Sequence, residues 1–286
     1  LETAVKTSDA AQPAHALDIA TAVQRQQDGS FAGSTSAAYG NMVGPFGGVT
    51  AATLLQSVMQ HPDRLGEPVA LTVNFAGPLA DGEFTMIAEP VRTNRSTQHW
   101  LIRMLQAGAT AATATVVTAT RRDTWSATEL RFPDVPSAAA IERTPPLERA
   151  AWTAQYDMRF VRGGPGADGK WAMDAGAGAE PDSVSQLWIR DEPARTLDFI
   201  SLAAICDAFY PRLFVRRPKW VPVGTVSLTT YFHADSAALA ACGTDALLGC
   251  ARALNFSNGY FDQTAEVWSA AGQLLATSHQ VVYYKE

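Results

Sequence analysis

Three residues in the last third of the chain carry reactive side chains in settings where those side chains stand out. Asp207 lies near the end of an apolar stretch reading Ala203-Ala204-Ile205-Cys206-Asp207. Thr225 opens the run Thr225-Val226-Ser227-Leu228-Thr229-Thr230-Tyr231-Phe232-His233, and Gln280 lies in the last run, Leu275-Ala276-Thr277-Ser278-His279-Gln280. A carboxylate at a buried helix end can act as a general base once burial lifts its pKa toward neutrality. A hydroxyl and an amide supply neutral hydrogen bonds, which fix the position of a polar reactant without adding charge. Each residue also has a plainer meaning. A lone Asp on a helix is ordinarily solvated, and Thr in a strand follows β-propensity. Gln280 is less ordinary, because an inward-facing amide needs a partner.

The elements that would position these residues are legible from periodicity. Residues 49–59 repeat apolar positions at helical spacing after Gly44-Pro45-Phe46-Gly47-Gly48, and His61-Pro62 closes the run. Strand-like runs follow at 69–75, 83–92, 99–106 and 110–120, with turns at Gly77-Pro78, Asp81-Gly82 and Ala107-Gly108. Residues 131–149, rich in Pro, Ala and charge, read as a connector, and 162–182 as a long Gly- and Ala-rich hairpin loop. The pattern then returns. An apolar helix over 197–209 ends at Tyr210-Pro211, and strands follow at 223–233, 245–255, 259–268 and 274–284.

The return is a repeat. Asn74-Phe75 answers to Tyr231-Phe232, Asn94-Arg95-Ser96 to Asn255-Phe256-Ser257, and Gly108 with Ala112-Thr113 to Gly272 with Ala276-Thr277. Two copies of strand, strand, helix and four strands predict an α+β fold, in which a central helix is wrapped by an antiparallel sheet, twice. The expected boundaries are a first domain over 1–130, a connector over 131–150 and a second domain over 151–286. A lone copy would leave a sheet edge and a helix face uncovered, so the copies are expected to pair and to hold a ligand cleft between them. In the first copy Val116 aligns with Gln280 and Gln56 with Asp207, so one site per chain is expected, with the first copy as scaffold.

The order Asp207, Thr225, Gln280, with Phe46-Gly47-Gly48 opening the first helix and Arg95-Ser96 in a turn, resembles the type II acyl-CoA thioesterases, a double-hotdog family. The resemblance runs from about residue 40 to the end and rests on order and spacing, since no single motif is specific. It implies hydrolysis of fatty acyl-CoA, by a water that the Asp, the Thr and the Gln hold together. Departures are Ser227-Leu228 where the family commonly has Asp-His, Tyr231 for a Trp, and Val281 for an acidic residue. They leave the trio intact and place the chain in a divergent branch.

Such a reaction also needs donors for the carbonyl oxygen and cations for the coenzyme A phosphates. Gly47 and Gly48 are candidates for the first, at a helix N-terminus, although tight packing accounts for them equally well. Arg216, Arg217, Lys219 and Arg95 are candidates for the second, although such clusters are more often solvated loops.

Bulk properties bound the alternatives. At 286 residues, 47% apolar and 17% charged, the chain reads as a soluble globular protein, and a net charge of -6 argues against a nucleic-acid partner. No apolar stretch reaches membrane-spanning length and no signal peptide is visible, so no membrane association and a cytoplasmic location are expected. Three cysteines read as small buried hydrophobes, and five histidines lack zinc spacing, so neither metal nor cofactor is expected. The Gly164-Pro165-Gly166-Ala167-Asp168-Gly169 match to a dinucleotide loop precedes no helix and is discounted. No Gly-x-Ser-x-Gly occurs. The rivals to a hydrolase are a non-catalytic acyl-CoA binder and a hotdog enoyl-CoA hydratase, whose Asp, Asn-Pro and His loop is not present. Two-fold self-association is expected for such a fold.

Overall fold

The computed structural model describes residues 14–165, 182–217 and 220–286. The N-terminal stretch read for a signal peptide, most of the expected hairpin loop with the discounted Gly motif, and Lys219 lie outside these residues. The first half holds α1 (Ala16–Ala20), β1 (Gln24–Arg25), β2 (Phe31–Ser34), α2 (Gly47–Met59), β3 (Glu67–Phe75), β4 (Glu83–Thr93), β5 (Thr97–Gln106) and β6 (Ala109–Ala119). The second holds β7 (Tyr156–Arg162), β8 (Ser185–Asp191), α3 (Phe199–Ile205), α4 (Arg212–Arg216), β9 (Val223–Phe232), α5 (Ser236–Ala241), β10 (Leu247–Arg252), β11 (Phe256–Ser257), β12 (Tyr260–Trp268) and β13 (Leu274–Tyr284).

Every main strand belongs to one antiparallel sheet, ordered β1-β2-β4-β5-β6-β3-β9-β13-β12-β10-β8-β7, with β11 pairing on β12. Read from its middle the order is a palindrome: β3 faces β9, β6 matches β13, β5 matches β12, and so on outward. The expected edge-to-edge pairing of copies is the β3–β9 ladder, which runs from Ala70↔Tyr231 to Asn74↔Ser227. At its centre Thr72 and Thr229 lie opposite each other and share a hydrogen bond of 3.0 Å between hydroxyls.

Alternation selects the buried face. In β5, Gln98, Trp100, Ile102 and Met104 are buried while His99, Leu101 and Arg103 are exposed. The two central helices pack on each other and against the buried face of the sheet. Helix α2 is buried nearly all round, as an apolar helix enclosed by a sheet must be. Its Thr53 and Ser57 hydroxyls donate to the Val49 and Leu54 carbonyls, so the burial leaves no stray donor there. The architecture is the expected double hotdog.

The second central helix is shorter than the apolar stretch 197–209 predicts. It opens on Asp198, whose carboxylate accepts from the Ser201 N–H at 2.9 Å, and ends at Ile205. Beyond it, Asp207 N–H donates to Ala204 O and Ala208 N–H to Ile205 O, a tight turn in place of another helical turn. Pro211 then starts the short α4, which periodicity did not announce. Among the described residues no helix is long and apolar enough to cross a membrane. All three cysteines are free; Cys206 and Cys250 are buried and Cys242 is partly exposed.

Candidate active site

The turn after α3 brings Asp207 against the start of α2, where the two halves meet. Helix α2 begins after Phe46, a residue whose side chain cannot cap the first N–H groups. The Asp207 carboxylate, from the other half, takes a hydrogen bond from the Gly48 backbone. The approach needs glycine. A Cβ at Gly47 would stand 2.7 Å from Asp207 Oδ2, and one at Gly48 would stand 2.4 Å from the Ala204 carbonyl oxygen. Gly48 therefore serves close helix–helix packing and Asp207, and its donor is already engaged.

Gln280 reaches the same carboxylate from the sheet. The Ser278 hydroxyl donates to the Cys206 carbonyl at 3.1 Å, tying β13 to the end of α3. Two residues on, and so on the same face, Gln280 is 3% exposed and its Nε2 donates to Asp207 Oδ1 at 2.8 Å. Its Oε1 accepts from the Thr225 hydroxyl at 3.4 Å. The amide is thus oriented by its neighbours: donor toward the carboxylate, acceptor toward the hydroxyl. His279 points to the other face, beside Asp262 at 3.5 Å, as strand alternation requires.

Thr225 is turned inward by a bulge. Val281 pairs with Ser227 and Val282 with Thr225, so Val226 is the extra residue and stands 38% exposed. Strict alternation would have faced Thr225 outward with Ser227 and Thr229. The first half repeats the bulge without the chemistry. There Val117 pairs with Ala70 and Thr118 with Pro68, so Pro68 stands where Thr225 stands. Val116 pairs with Leu71 as Gln280 pairs with Leu228.

Asp207 keeps partial solvent exposure although protein surrounds it on most sides. Desolvation raises its pKa from 3.8 to about 7, against the lowering effect of the hydrogen bonds from Gln280 and Gly48. A carboxylate held near neutrality can both take and return a proton.

Sequence reasoning missed the support behind the trio. Gln263 lies directly across the strands from Gln280 and is equally buried. Its Oε1 accepts from Arg212 Nε at 2.9 Å. Arg212, on α4, is fully buried and also donates to the Tyr210, Ser183 and Ala251 carbonyls and the Ser185 hydroxyl. No carboxylate pairs with it among the described residues, and burial lowers its pKa to about 9. It fastens the turn that carries Asp207 to three strands. Gln263 was open to detection, because it alternates with the apolar Phe261 and Ala265. Arg212, among apolar neighbours and without an acidic partner in sequence, was not.

Of the candidate phosphate contacts, Arg216 and Arg217 lie together at the end of α4 and Arg95 lies apart. Arg216 ends α4, and Arg217 is paired with Glu286 at 2.6 Å. Arg95 lies in the turn between β4 and β5, and the registers Thr97↔Ala119 and Glu67↔Ala119 put that turn beside the start of β3. Phe75, at the far end of β3, is the residue that packs beside Gly47. Arg95 therefore sits roughly 25 Å along the strands from the trio. The reason is topological: β4 and β5 join at the sheet end opposite to the one where β9 begins.

Comparison with known proteins agrees with this architecture. Residues 36–120 match the family model of the acyl-CoA thioesterase N-terminal domain, and residues 131–284 match that of the acyl-CoA thioesterase C-terminal domain. A conserved protein of unknown function with hot dog fold from Alicyclobacillus acidocaldarius is 48% identical, with a TM-score of 0.89 over 96% of this chain and 99% of that one. A candidate thioesterase II from Thermobifida fusca is 20% identical, with a TM-score of 0.79 over 96% of this chain and 99% of that one. The acyl-CoA thioesterase II TesB2 from Mycobacterium marinum is 16% identical, with a TM-score of 0.74 over 94% and 98%. These last two show the fold alone. No curated protein matches the chain. Both halves, and the order in which they follow one another, thus carry the same assignment, and the chain belongs to the acyl-CoA thioesterase family.

Proposed function

We propose that the protein hydrolyses an acyl-CoA to the free acid and coenzyme A, using a water held by Asp207, Thr225 and Gln280. The observation that carries this reading is the continuous chain from the Thr225 hydroxyl through the Gln280 amide to an Asp207 carboxylate with a pKa of about 7. The water oxygen attacks the thioester carbonyl carbon while Asp207 accepts the water proton. The resulting oxyanion is met at the N-terminus of α2, whose dipole favours negative charge. Gly48 already donates to Asp207, which leaves Gly47 as the residue assigned to that oxygen. Collapse breaks the carbon–sulfur bond, and the departing thiolate takes the proton back from Asp207. The first half acts as scaffold and wall of the cleft, with the working groups in the second.

The test is release of free thiol from a panel of acyl-CoAs, short to long and including aromatic ones, by wild type and Asp207→Ala. Turnover by wild type with a loss of at least about a hundredfold in the variant supports the hydrolase. No turnover on any member, together with saturable acyl-CoA binding, would replace it with a non-catalytic binder.

A further inference from the structure

Trp220 is 61% exposed on the segment between α4 and β9, five residues before Thr225. One side of its ring leans on Phe214, with centroids 4.5 Å apart and planes at 47°, and Phe214 is itself only 6% exposed. The indole is therefore braced by Phe214 and mostly open to solvent. The next residue, Val221, packs into a small cluster with Leu213, Phe261 and Val282. Val282 is the cross-strand partner of Thr225, so this cluster ties the base of Trp220 to the strand pair that carries the trio.

Charge gathers at the same end of the sheet. Arg216 and Arg217 close α4, and the Lys285 backbone N–H donates to Pro222 O at 3.0 Å while its ammonium lies 5.8 Å from the centre of the Tyr283 ring. Among the described residues the neighbouring carboxylates include Glu286, paired with Arg217, and Asp182, paired with Arg162, whose hydrogen bond helps to lower its pKa. These cationic side chains lie together in a chain whose net charge is -6.

We propose that Trp220 is the platform on which the adenine ring of coenzyme A stacks, with the Arg216–Arg217 end of α4 beside the adjoining phosphates. This rests on the reading of the substrate as an acyl-CoA and adds where its nucleotide end is held. A flat base offers a π-face to an exposed indole, and a fixed ring loses little freedom when a base settles on it. The phosphate contribution is electrostatic and falls with added salt.

Two measurements test the stacking. The first is calorimetric binding of the nucleotide half of the cofactor alone, 3′-phosphoadenosine 5′-diphosphate, to wild type, Trp220→Ala and Trp220→Phe. The expected result is a Kd about tenfold weaker in the alanine variant, largely restored in the phenylalanine variant, and weaker in all three at high salt. The second compares an acyl-CoA with the same acyl group on N-acetylcysteamine, which lacks the nucleotide. Trp220→Ala should raise KM about tenfold for the first and leave KM for the second and kcat for both unchanged. Absence of nucleotide binding by wild type, equal Kd in the alanine variant, or equal KM shifts on both thioesters would overturn the proposal. Trp220-dependent nucleotide binding in a protein that turns over neither thioester would sink the hydrolase and leave the stacking site standing.

Discussion

Gly47, in the first half of the chain, approaches Asp207, in the second, so closely that a Cβ added to Gly47 would stand 2.7 Å from carboxylate Oδ2. The neighbouring Gly48 meets something less forgiving, the backbone carbonyl of Ala204 at 2.4 Å. A side chain can swing aside and a helix backbone cannot, so the two substitutions should part company. Gly47→Ala is expected to fold and to lose activity by about a hundredfold, because Asp207 is displaced. Gly48→Ala is expected to lose about 2–4 kcal/mol of stability, because the helices must separate. Thermal melts beside steady-state rates separate them; equal melting temperatures for the two variants would contradict the packing account.

The raised pKa of Asp207 has consequences of opposite sign for rate and stability. Its folded value of about 7 lies above the ordinary 3.8, so the folded chain holds this proton more tightly than the unfolded chain. The contribution of the group to stability is fully present below about pH 4 and is lost as pH rises to 7. The base must be unprotonated to work, so kcat/KM should climb through an acid limb centred near 7 and then level off. Asp207→Asn should abolish that limb and, at pH 8, melt at a higher temperature than wild type, having no charge to desolvate. A limb centred near 4 would show that burial does not govern this carboxylate.

Gln280→Glu would set a second carboxylate where the amide now donates to Asp207 at 2.8 Å. Two such groups share one proton, so the acid limb should move up by about a unit or more and the rate at pH 7 should fall by about fivefold or more. The Thr225 bond to the amide is longer, 3.4 Å, so Thr225→Val should cost only about tenfold in kcat. A pH–rate profile of the Glu variant that overlays wild type would remove Gln280 from contact with the base.

Arg212→Met keeps much of the volume of a fully buried side chain and removes its donors. The Tyr210, Ser183 and Ala251 carbonyls and the Ser185 hydroxyl then lose their partner. About 3 kcal/mol of stability should go with them, read as a fall in the urea midpoint. The Asp207 turn should loosen too, so kcat should drop while KM changes little.

The fold and the grouping of Asp207, Thr225 and Gln280 were legible because both rest on what a sequence displays directly. The two copies show in turn glycines at matching offsets, such as Gly108 and Gly272, which both take positive φ. Gln280 shows as an amide at an apolar-alternating position. What stayed hidden depends on register and on tertiary ties. Alternation alone turns Thr225 to the outer face, and only the extra Val226 brings it in. The end of α3 was read too late, because apolar residues continue through the turn that replaces its last helical turn. The distance of Arg95 from the trio stayed hidden too, because a sequence pattern does not say at which end of a strand a turn falls.

The palindromic strand order has a consequence for the growing chain. When β3 through β6 have been made, β3 has β6 on one side and an open edge on the other. Its partner for that edge, β9, does not begin until Val223. Through the intervening synthesis the first half presents bare backbone donors and acceptors along that edge, a feature that recruits neighbouring chains. A ribosome-bound first half should therefore be sticky until its own second half arrives. Because β9 comes from the same polypeptide, it reaches that edge at a high effective concentration, and a stranger's strand has to compete with it.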